Sequence, residues 1–330
     1  MSKPQIGFYW CASCGGCEEA VVDLAESILK VIELVDIVFW PCAMDFKRED
    51  LEAMQPGQMA ACFVNGAIRS SEQREMVEIC REKSQALIAF GSCSHTGGIP
   101  GLANLYSRES ILECVYNDGV MSNVNPDGVR PQPHTDQPEG SIELPSWDDN
   151  VKTLDQVVPV EYYLPGCPPP VKLIVEAVTA LVEGNLPPVG SVLAPDMAMC
   201  RDCPRIDSKP EEAVLSEFKR PHEILIDPEK CFLAQGLVCM GPATRCGCDH
   251  ACINGNMPCT GCLGPVSHES DYGGAILSAT ACLTTSNNQE EVTAALAGIP
   301  DPAGTFYRYS LPASMLFRRV GCRESEHGES

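Results

Sequence analysis

Short apolar runs alternate with amphipathic stretches through the first part of the chain. The runs Gln5 to Trp10, Val35 to Trp40, Met59 to Asn65, Ala86 to Phe90 and Val160 to Leu164 predict strands. Apolar positions at helical spacing predict helices over Glu18 to Ile32, Ser71 to Lys83 and Pro170 to Glu183. Strands that alternate with helices are the signature of a parallel sheet covered on its faces, so the expected fold is α/β, a doubly wound sheet.

The pattern breaks twice. Between Tyr116 and Val158 the composition shifts to Pro, Gly, Asp and Asn with little periodicity, as in Gly128-Val-Arg-Pro-Gln-Pro-His-Thr-Asp-Gln-Pro138, which predicts an inserted surface loop over about 117–158 and a candidate partner-contact arm. After Leu186-Pro-Pro-Val-Gly190 regular patterning fades and cysteines crowd together. The expected division is therefore a sheet domain over 1–188 and an irregular, cysteine-rich unit over 189–330. Within the latter, Asn288 to Ala297 is amphipathic and Phe306-Tyr-Arg-Tyr-Ser-Leu311 is aromatic; packing on a partner and packing in the chain's own core both suit these segments.

Composition narrows the chemistry. A chain of 330 residues that is 44% hydrophobic buries a real core. Its net charge of −22, with 23 basic residues against 45 acidic ones, argues against a nucleic-acid partner, because phosphate binding draws on Lys and Arg. No apolar run approaches the roughly 20 residues that span a bilayer, so no membrane span is expected. The start, Met1-Ser-Lys-Pro4, has no signal-peptide pattern, and the expected location is cytoplasmic. In that reducing compartment 20 cysteines point to metal or redox chemistry rather than to disulfides.

Four cysteines fall just past the C-terminal ends of predicted strands. Cys14 and Cys17 follow the first in Cys11-Ala-Ser-Cys-Gly-Gly-Cys17, Cys93 follows a later one in Phe90-Gly-Ser-Cys93, and Cys167 follows the last in Leu164-Pro-Gly-Cys-Pro-Pro169. Loops at that edge of an open α/β sheet converge on the crevice where ligands bind, so thiols far apart in sequence can meet there. Gly15, Gly16, Gly91 and Gly166 permit close backbone approach, and Pro168 to Pro170 stiffen the last loop. A single cysteine of this kind is sometimes only a buried core thiol; three strand-end sites together favour ligation.

The second region holds nine cysteines within 63 residues: Cys200, Cys203, Cys231, Cys239, Cys246, Cys248, Cys252, Cys259 and Cys262. Eight thiolates would fill two four-iron clusters, while zinc, which also uses paired Cys-x-x-Cys units, is the structural alternative for an interaction protein without redox function. Cys11 and Cys246 sit beside better-placed candidates and remain open. Cys42, Cys62, Cys80, Cys114, Cys282 and Cys322 lack such context and read as core or incidental thiols. His95 and His268 lie near the candidates but are assigned no metal. There is no Walker A loop and no Gly-x-Gly-x-x-Gly after a strand, which argues against nucleotide chemistry.

These motifs resemble the small, electron-transfer subunit of nickel–iron hydrogenases, and more closely the cytoplasmic, methyl-viologen-reducing type associated with heterodisulfide reductase. The resemblance covers nearly the whole chain. It rests on Trp10 with Cys14-Gly-Gly-Cys-Glu18, on Gly91-Ser-Cys93 with Gly97-Gly-Ile-Pro-Gly-Leu-Ala-Asn104, and on Pro165-Gly-Cys-Pro-Pro169. Met240-Gly-Pro-Ala-Thr244 and Pro258-Cys-Thr-Gly-Cys262 complete it.

The resemblance implies a flavodoxin-like sheet and three 4Fe–4S clusters in a row, iron being held by cysteine throughout. Cys14, Cys17, Cys93 and Cys167 would hold a proximal cluster, Cys248, Cys252, Cys259 and Cys262 a medial one, and Cys200, Cys203, Cys231 and Cys239 a distal one. Related proteins often have His where Cys200 stands and Pro near Cys252; cysteine at both places implies three four-iron clusters and a low-potential chain. Glu18 resembles a glutamate on the family's proton path, although an acid in a first helical turn is also favoured by the helix dipole, a role Glu19 would serve equally well.

The large-subunit signature, an early Arg-x-Cys-x-x-Cys with a late Asp-Pro-Cys-x-x-Cys, is missing from this chain, so the implied partner is a nickel–iron large subunit. The implied acceptor is a two-iron-cluster subunit that leads to a heterodisulfide reductase complex. The small subunit of a deazaflavin-reducing hydrogenase and a complex I-like cluster subunit are the related alternatives; the latter has no second cysteine-rich region.

Overall fold

The computed structural model describes residues 3–117, 124–209, 215–267, 269, 271–284 and 288–317. Cys322 and His268 lie outside them. Among the described residues the strands are β1 (Gln5–Trp10), β2 (Asp36–Phe39), β3 (Met59–Asn65), β4 (Ile68–Ser70), β5 (Ser84–Phe90), β6 (His134–Gln137), β7 (Gly140–Glu143), β8 (Trp147–Lys152), β9 (Tyr162–Leu164) and β10 (Ser191–Val192). Six of them make one parallel sheet in the order β10-β9-β5-β3-β1-β2. Counted along the chain, that is the flavodoxin order 2-1-3-4-5 with one more strand at the edge.

The sheet is buried on both faces. Ile6 and Phe8 of β1, Ala61 and Phe63 of β3, and Ala86, Ile88 and Phe90 of β5 point into one core, with Ala20, Val31, Leu173 and Ala177 from the helices covering it. Cys62, Val64, Leu87 and Ala89 point the other way, onto Leu51, Met76 and Val77. The covering helices are α1 (Gly16–Val22), α2 (Ser27–Leu34), α3 (Arg48–Glu52), α4 (Ser71–Lys83), α5 (Ser92–Thr96), α6 (Arg108–Tyr116) and α7 (Val171–Glu183). Strand runs buried on both faces carry no polar alternation, which is why they were legible as continuous apolar segments.

Two expectations change. The helix expected over Glu18 to Ile32 is two helices, α1 and α2, broken where Ala25 takes φ +48°. No Gly or Pro marks that break. The region expected as a loop over about 117–158 holds the antiparallel hairpin β6–β7, and β8 pairs antiparallel with β4. Thr135 is half-buried and the rest of the hairpin is exposed, so no apolar alternation was required of its sequence.

Beyond the sheet, the chain is mostly short turns and helices. Its apolar side chains Met199, Phe232, Leu237, Met240, Ile253, Leu263, Phe306 and Leu311 belong to the same continuous core as the α1 and α7 face of the sheet. The aromatic segment packs inside this core: Phe306, Tyr307 and Leu311 are buried. Strand β10 lies past residue 188 and completes the sheet edge.

Candidate functional site

The parallel register sends the C-terminal ends of β1, β3, β5 and β9 to one edge. Cys14 and Cys17 lie between β1 and α1, Cys93 in α5 directly after β5, and Cys167 just after β9, before a cis Cys167–Pro168 bond. Backbone bonds join these loops: the Gly91 N–H donates to Leu164 O (2.8 Å) and the Ser92 N–H to Gly166 O (2.7 Å). Gly91, at φ +88°, passes so close to Cys17 that a Cβ there would overlap its Sγ, so this crossing excludes any side chain.

The four thiols are mutual electrostatic neighbours. Burial first, then Cys93, Cys167 and Cys14, push the Cys17 thiol well up. Burial and then Cys167 and Cys14 raise Cys93 to about 12. Cys167 is raised by burial and Cys14. Cys14 itself is exposed, with the Gly16 N–H 3.4 Å from its Sγ.

Glu18 is buried, whereas Glu19 is exposed. The Trp40 indole N–H and the Asn65 side-chain amide each donate to its carboxylate, and Ser13 Oγ donates to Asn65 Oδ1 at 2.9 Å. Burial raises the Glu18 pKa, and the bonds from Trp40 and Asn65 oppose that rise. Trp40 directly follows β2 and Asn65 ends β3, so the sheet edge itself sets this carboxylate in place.

In the second region the thiols gather in two neighbouring sets. Cys200 is raised to about 12 by burial and then Cys239, with Cys203 and Cys231 adding to the rise and Lys209 opposing it; Cys239, raised by burial, also faces Cys231 and Cys203. Cys262 is raised to about 12 by burial, receives a hydrogen bond from the Cys167 backbone, and faces Cys248, Cys167 and Cys252. Burial and then Cys239 push Cys259 up, with Cys262 as a further neighbour. Cys262 therefore borders the strand-end set, and Cys259 borders the Cys200 set. Ser92 Oγ donates to Cys262 O at 2.5 Å, tying the two regions together.

The ambiguous thiols separate from these sets. Cys11 turns to the opposite face of the sheet, where it neighbours Cys62 and Cys80. Cys246 is buried with Asp202 as its first charged neighbour, although Cys248 is also near. Cys42 and Cys282 are exposed, Cys114 is half-buried, and none of the three appears among the neighbours of the grouped thiols. His95 is pushed down to about 4 by burial and packs against the Tyr163 ring, tilted by 38° with centroids 4.8 Å apart.

Sequence reasoning missed several supporting side chains. Thr244 hydrogen-bonds Cys259, and its hydroxyl lies 2.8 Å from the Tyr272 hydroxyl. Tyr309 faces Cys262 and Cys167. Thr244 closes the Met240-Gly-Pro-Ala motif and Tyr309 lies in the aromatic segment 306–311, which were the available signals; Tyr272 had none.

The donor set suits iron–sulfur ligation. Buried thiols that disfavour one another's ionisation are relieved by an electropositive guest that binds the thiolate form. Among the described residues no three His, Cys, Asp or Glu side chains close tightly enough to hold a single metal ion. No helix among the described residues is long and apolar enough to cross a membrane.

Comparison with known proteins completes the picture. Residues 14–181 match the family described as NADH ubiquinone oxidoreductase, 20 Kd subunit. Relatives that extend through the second cysteine region include the iron–sulfur subunit of the F420-non-reducing hydrogenase of Archaeoglobus profundus, 36% identical over 96% of this chain and 98% of that protein. The corresponding subunit of the F420-non-reducing hydrogenase of Methanothermobacter thermautotrophicus is 34% identical over 96% of this chain and 97% of its own. Among solved structures, the [NiFeSe] hydrogenase from Desulfovibrio vulgaris Hildenborough shares the fold, with a TM-score of 0.52, 16% identity, and 80% of this chain and 94% of that one covered. The complex I-like match ends before the second thiol region, while the hydrogenase relatives cover both regions, so the chain belongs to the family of iron–sulfur small subunits of F420-non-reducing hydrogenases, which are nickel–iron enzymes.

Proposed function

We propose that this chain carries electrons from hydrogen oxidation at a nickel–iron large subunit through three 4Fe–4S clusters to an acceptor subunit. Cys14, Cys17, Cys93 and Cys167 would hold the proximal cluster, Cys248, Cys252, Cys259 and Cys262 the medial one, and Cys200, Cys203, Cys231 and Cys239 the distal one. The observation that carries this reading is the continuous succession of neighbouring thiols: the Cys167 backbone hydrogen-bonds Cys262, and Cys259 is an electrostatic neighbour of Cys239.

When bound, such clusters supply one-electron transfer at potentials set by their ligands, burial and hydrogen bonds to sulfur. The chain's own residues hold and tune them. Cysteine thiolates ligate iron, and the backbone at Gly241 and Gly261 and the Thr244 hydroxyl hydrogen-bond sulfur. Glu18 would hold a proton at its carboxylate beside the proximal set, oriented by Trp40 and Asn65.

The hydrogenases of the two relatives are named F420-non-reducing, which favours the branch that does not use a deazaflavin acceptor. The two-iron acceptor subunit, the link to heterodisulfide reductase and the cytoplasmic location rest on the motif resemblance. Pull-down of the tagged chain from its native host tests the acceptor: recovery of the large subunit without any heterodisulfide reductase subunit overturns that link.

Metal analysis of the anaerobic complex with the large subunit tests the wire. After subtraction of the large subunit's active-site iron, about twelve iron and twelve sulfide per chain are expected for three four-iron clusters. About four iron would leave a single cluster, and zinc in place of iron would end the reading.

A further inference from the structure

A groove of about 390 Å³ opens beside Cys259. Leu237, Met240 and Cys259, all buried, lie at its base, and Met257 stands exposed at its rim. Behind Met240 the chain runs through Gly241, where a Cβ would lie 3.3 Å from Cys200 Sγ, 3.6 Å from Cys239 Sγ and 4.0 Å from Cys259 Cβ. The groove therefore ends where the two thiol sets of the second region meet.

Its charge runs against that of the molecule. In a chain of net charge −22, the groove is lined by Lys219, Arg220 and Arg308 against one acid, Asp301. The Asp301 carboxylate accepts from the Gly304 N–H (2.9 Å). Lys219 pairs with Glu217 (2.7 Å), and Glu223 accepts from the Arg220 backbone N–H (2.7 Å). Arg308 Nε donates to Gly304 O (3.1 Å), and neither the Arg220 nor the Arg308 guanidinium has a carboxylate partner within ion-pair distance among the described residues. Two guanidinium groups without a carboxylate partner among the described residues, over an apolar base of Met and Leu, suit a flat ring system with anionic substituents, and the volume is that of a small-molecule site.

The geometry points to a port for a small, planar, anionic electron carrier of the quinone or flavin type, seated between Arg220 and Arg308 and exchanging electrons beside Cys259. The port rests on the reading that Cys259 belongs to a cluster site. In turnover, hydrogen oxidised at the large subunit yields two protons and two electrons. The carrier takes the two electrons in single steps and two protons from solvent, and leaves as its reduced form. Electrons thereby leave from the middle of the series as well as from its far end.

Binding separates this inference from the cluster reading, because it needs no turnover. The probe is anthraquinone-2,6-disulfonate, titrated without hydrogen into the anaerobic complex of the chain with its large subunit. One molecule per chain is expected, with affinity lowered roughly five- to tenfold by Arg220→Glu or Arg308→Glu and largely kept by Arg308→Lys. Affinity should also fall as ionic strength rises, since local attraction is screened; an affinity that rises with salt means the overall negative charge governs, and overturns the port.

No binding also overturns it, as does binding indifferent to both arginines, the result expected if the groove serves only an acidic loop of a partner protein. A complex that lacks iron yet binds the dianion would instead overturn the cluster reading and leave the docking site standing. In hydrogen-driven turnover, the ratio of dianion reduction to methyl viologen reduction should fall by the same factor. Where a reversal variant loses viologen reduction as well, Arg308→Lys and the wild-type salt dependence decide.

Discussion

Glu18 sits in an environment that its neighbours in sequence do not suggest. A glutamate in the first turn of a helix is ordinarily solvated and held by the helix dipole. Here Glu19 takes that exposed position while Glu18 is buried between Trp40 and Asn65. Glu18→Gln keeps the shape and removes the titrating group. The expected outcome is a fall of about 100-fold in hydrogen oxidation by the complex, in the range for loss of a proton-transfer group, with iron content unchanged. Activity kept within twofold at full iron content would remove Glu18 from the proton path. The cysteines were legible because each strand-end thiol stands among glycines and prolines that already mark a ligand loop. Trp40 and Asn65 were not, because they reach the site from the ends of two other strand segments and carry no local motif.

At the level of elements, the loop after Cys93 is held from the far end of the described chain. The Tyr309 carbonyl accepts from the Gly98 N–H (3.0 Å) and from Thr96 Oγ1 (2.6 Å), and Pro312 packs directly over Gly97 and Gly101. Gly97 sits at φ +102°, and a Cβ there would overlap the Pro312 ring. Gly97→Ala is therefore expected to cost about 1–3 kcal/mol, read as a lowered thermal midpoint of the anaerobic complex. An unchanged midpoint would mean that the Pro312 contact contributes nothing.

Element boundaries were legible where periodicity had a core to report on. β1, β3 and α4 begin and end where the pattern placed them, at Gln5–Trp10, Met59–Asn65 and Ser71–Lys83. α4 also has its start written into the sequence, since Ser70 and Gln73 form a reciprocal capping box. The break between α1 and α2 was hidden because Ala25, which takes φ +48° there, is a strong helix former and has no Gly or Pro beside it.

On the scale of the whole molecule, the core decides how independent the two regions are. Leu173, Ile174 and Ala177 of α7 share one continuous apolar cluster with Met240, Leu263, Phe306 and Leu311. A fragment ending at residue 188 would expose that face and lose β10 from the sheet edge. At about 25 cal/mol for each Å² of apolar surface, the loss is large against the marginal stability of a domain. The fragment over 1–188 is expected to be degraded under limited proteolysis that leaves the full chain intact. Equal protection would make the sheet a self-sufficient domain.

The Pro312 contact also sets a timetable for biosynthesis. A ribosome makes Cys14, Cys17 and Cys93 early, yet the segment that locks the Cys93 loop, residues 309–312, emerges only after both later thiol sets have been made. Iron delivered to the nascent chain would meet an unlatched loop. The Cys93 loop can therefore be latched only after every thiol of the two later sets has been made, so this edge of the sheet is completed late in synthesis although its own cysteines are made first.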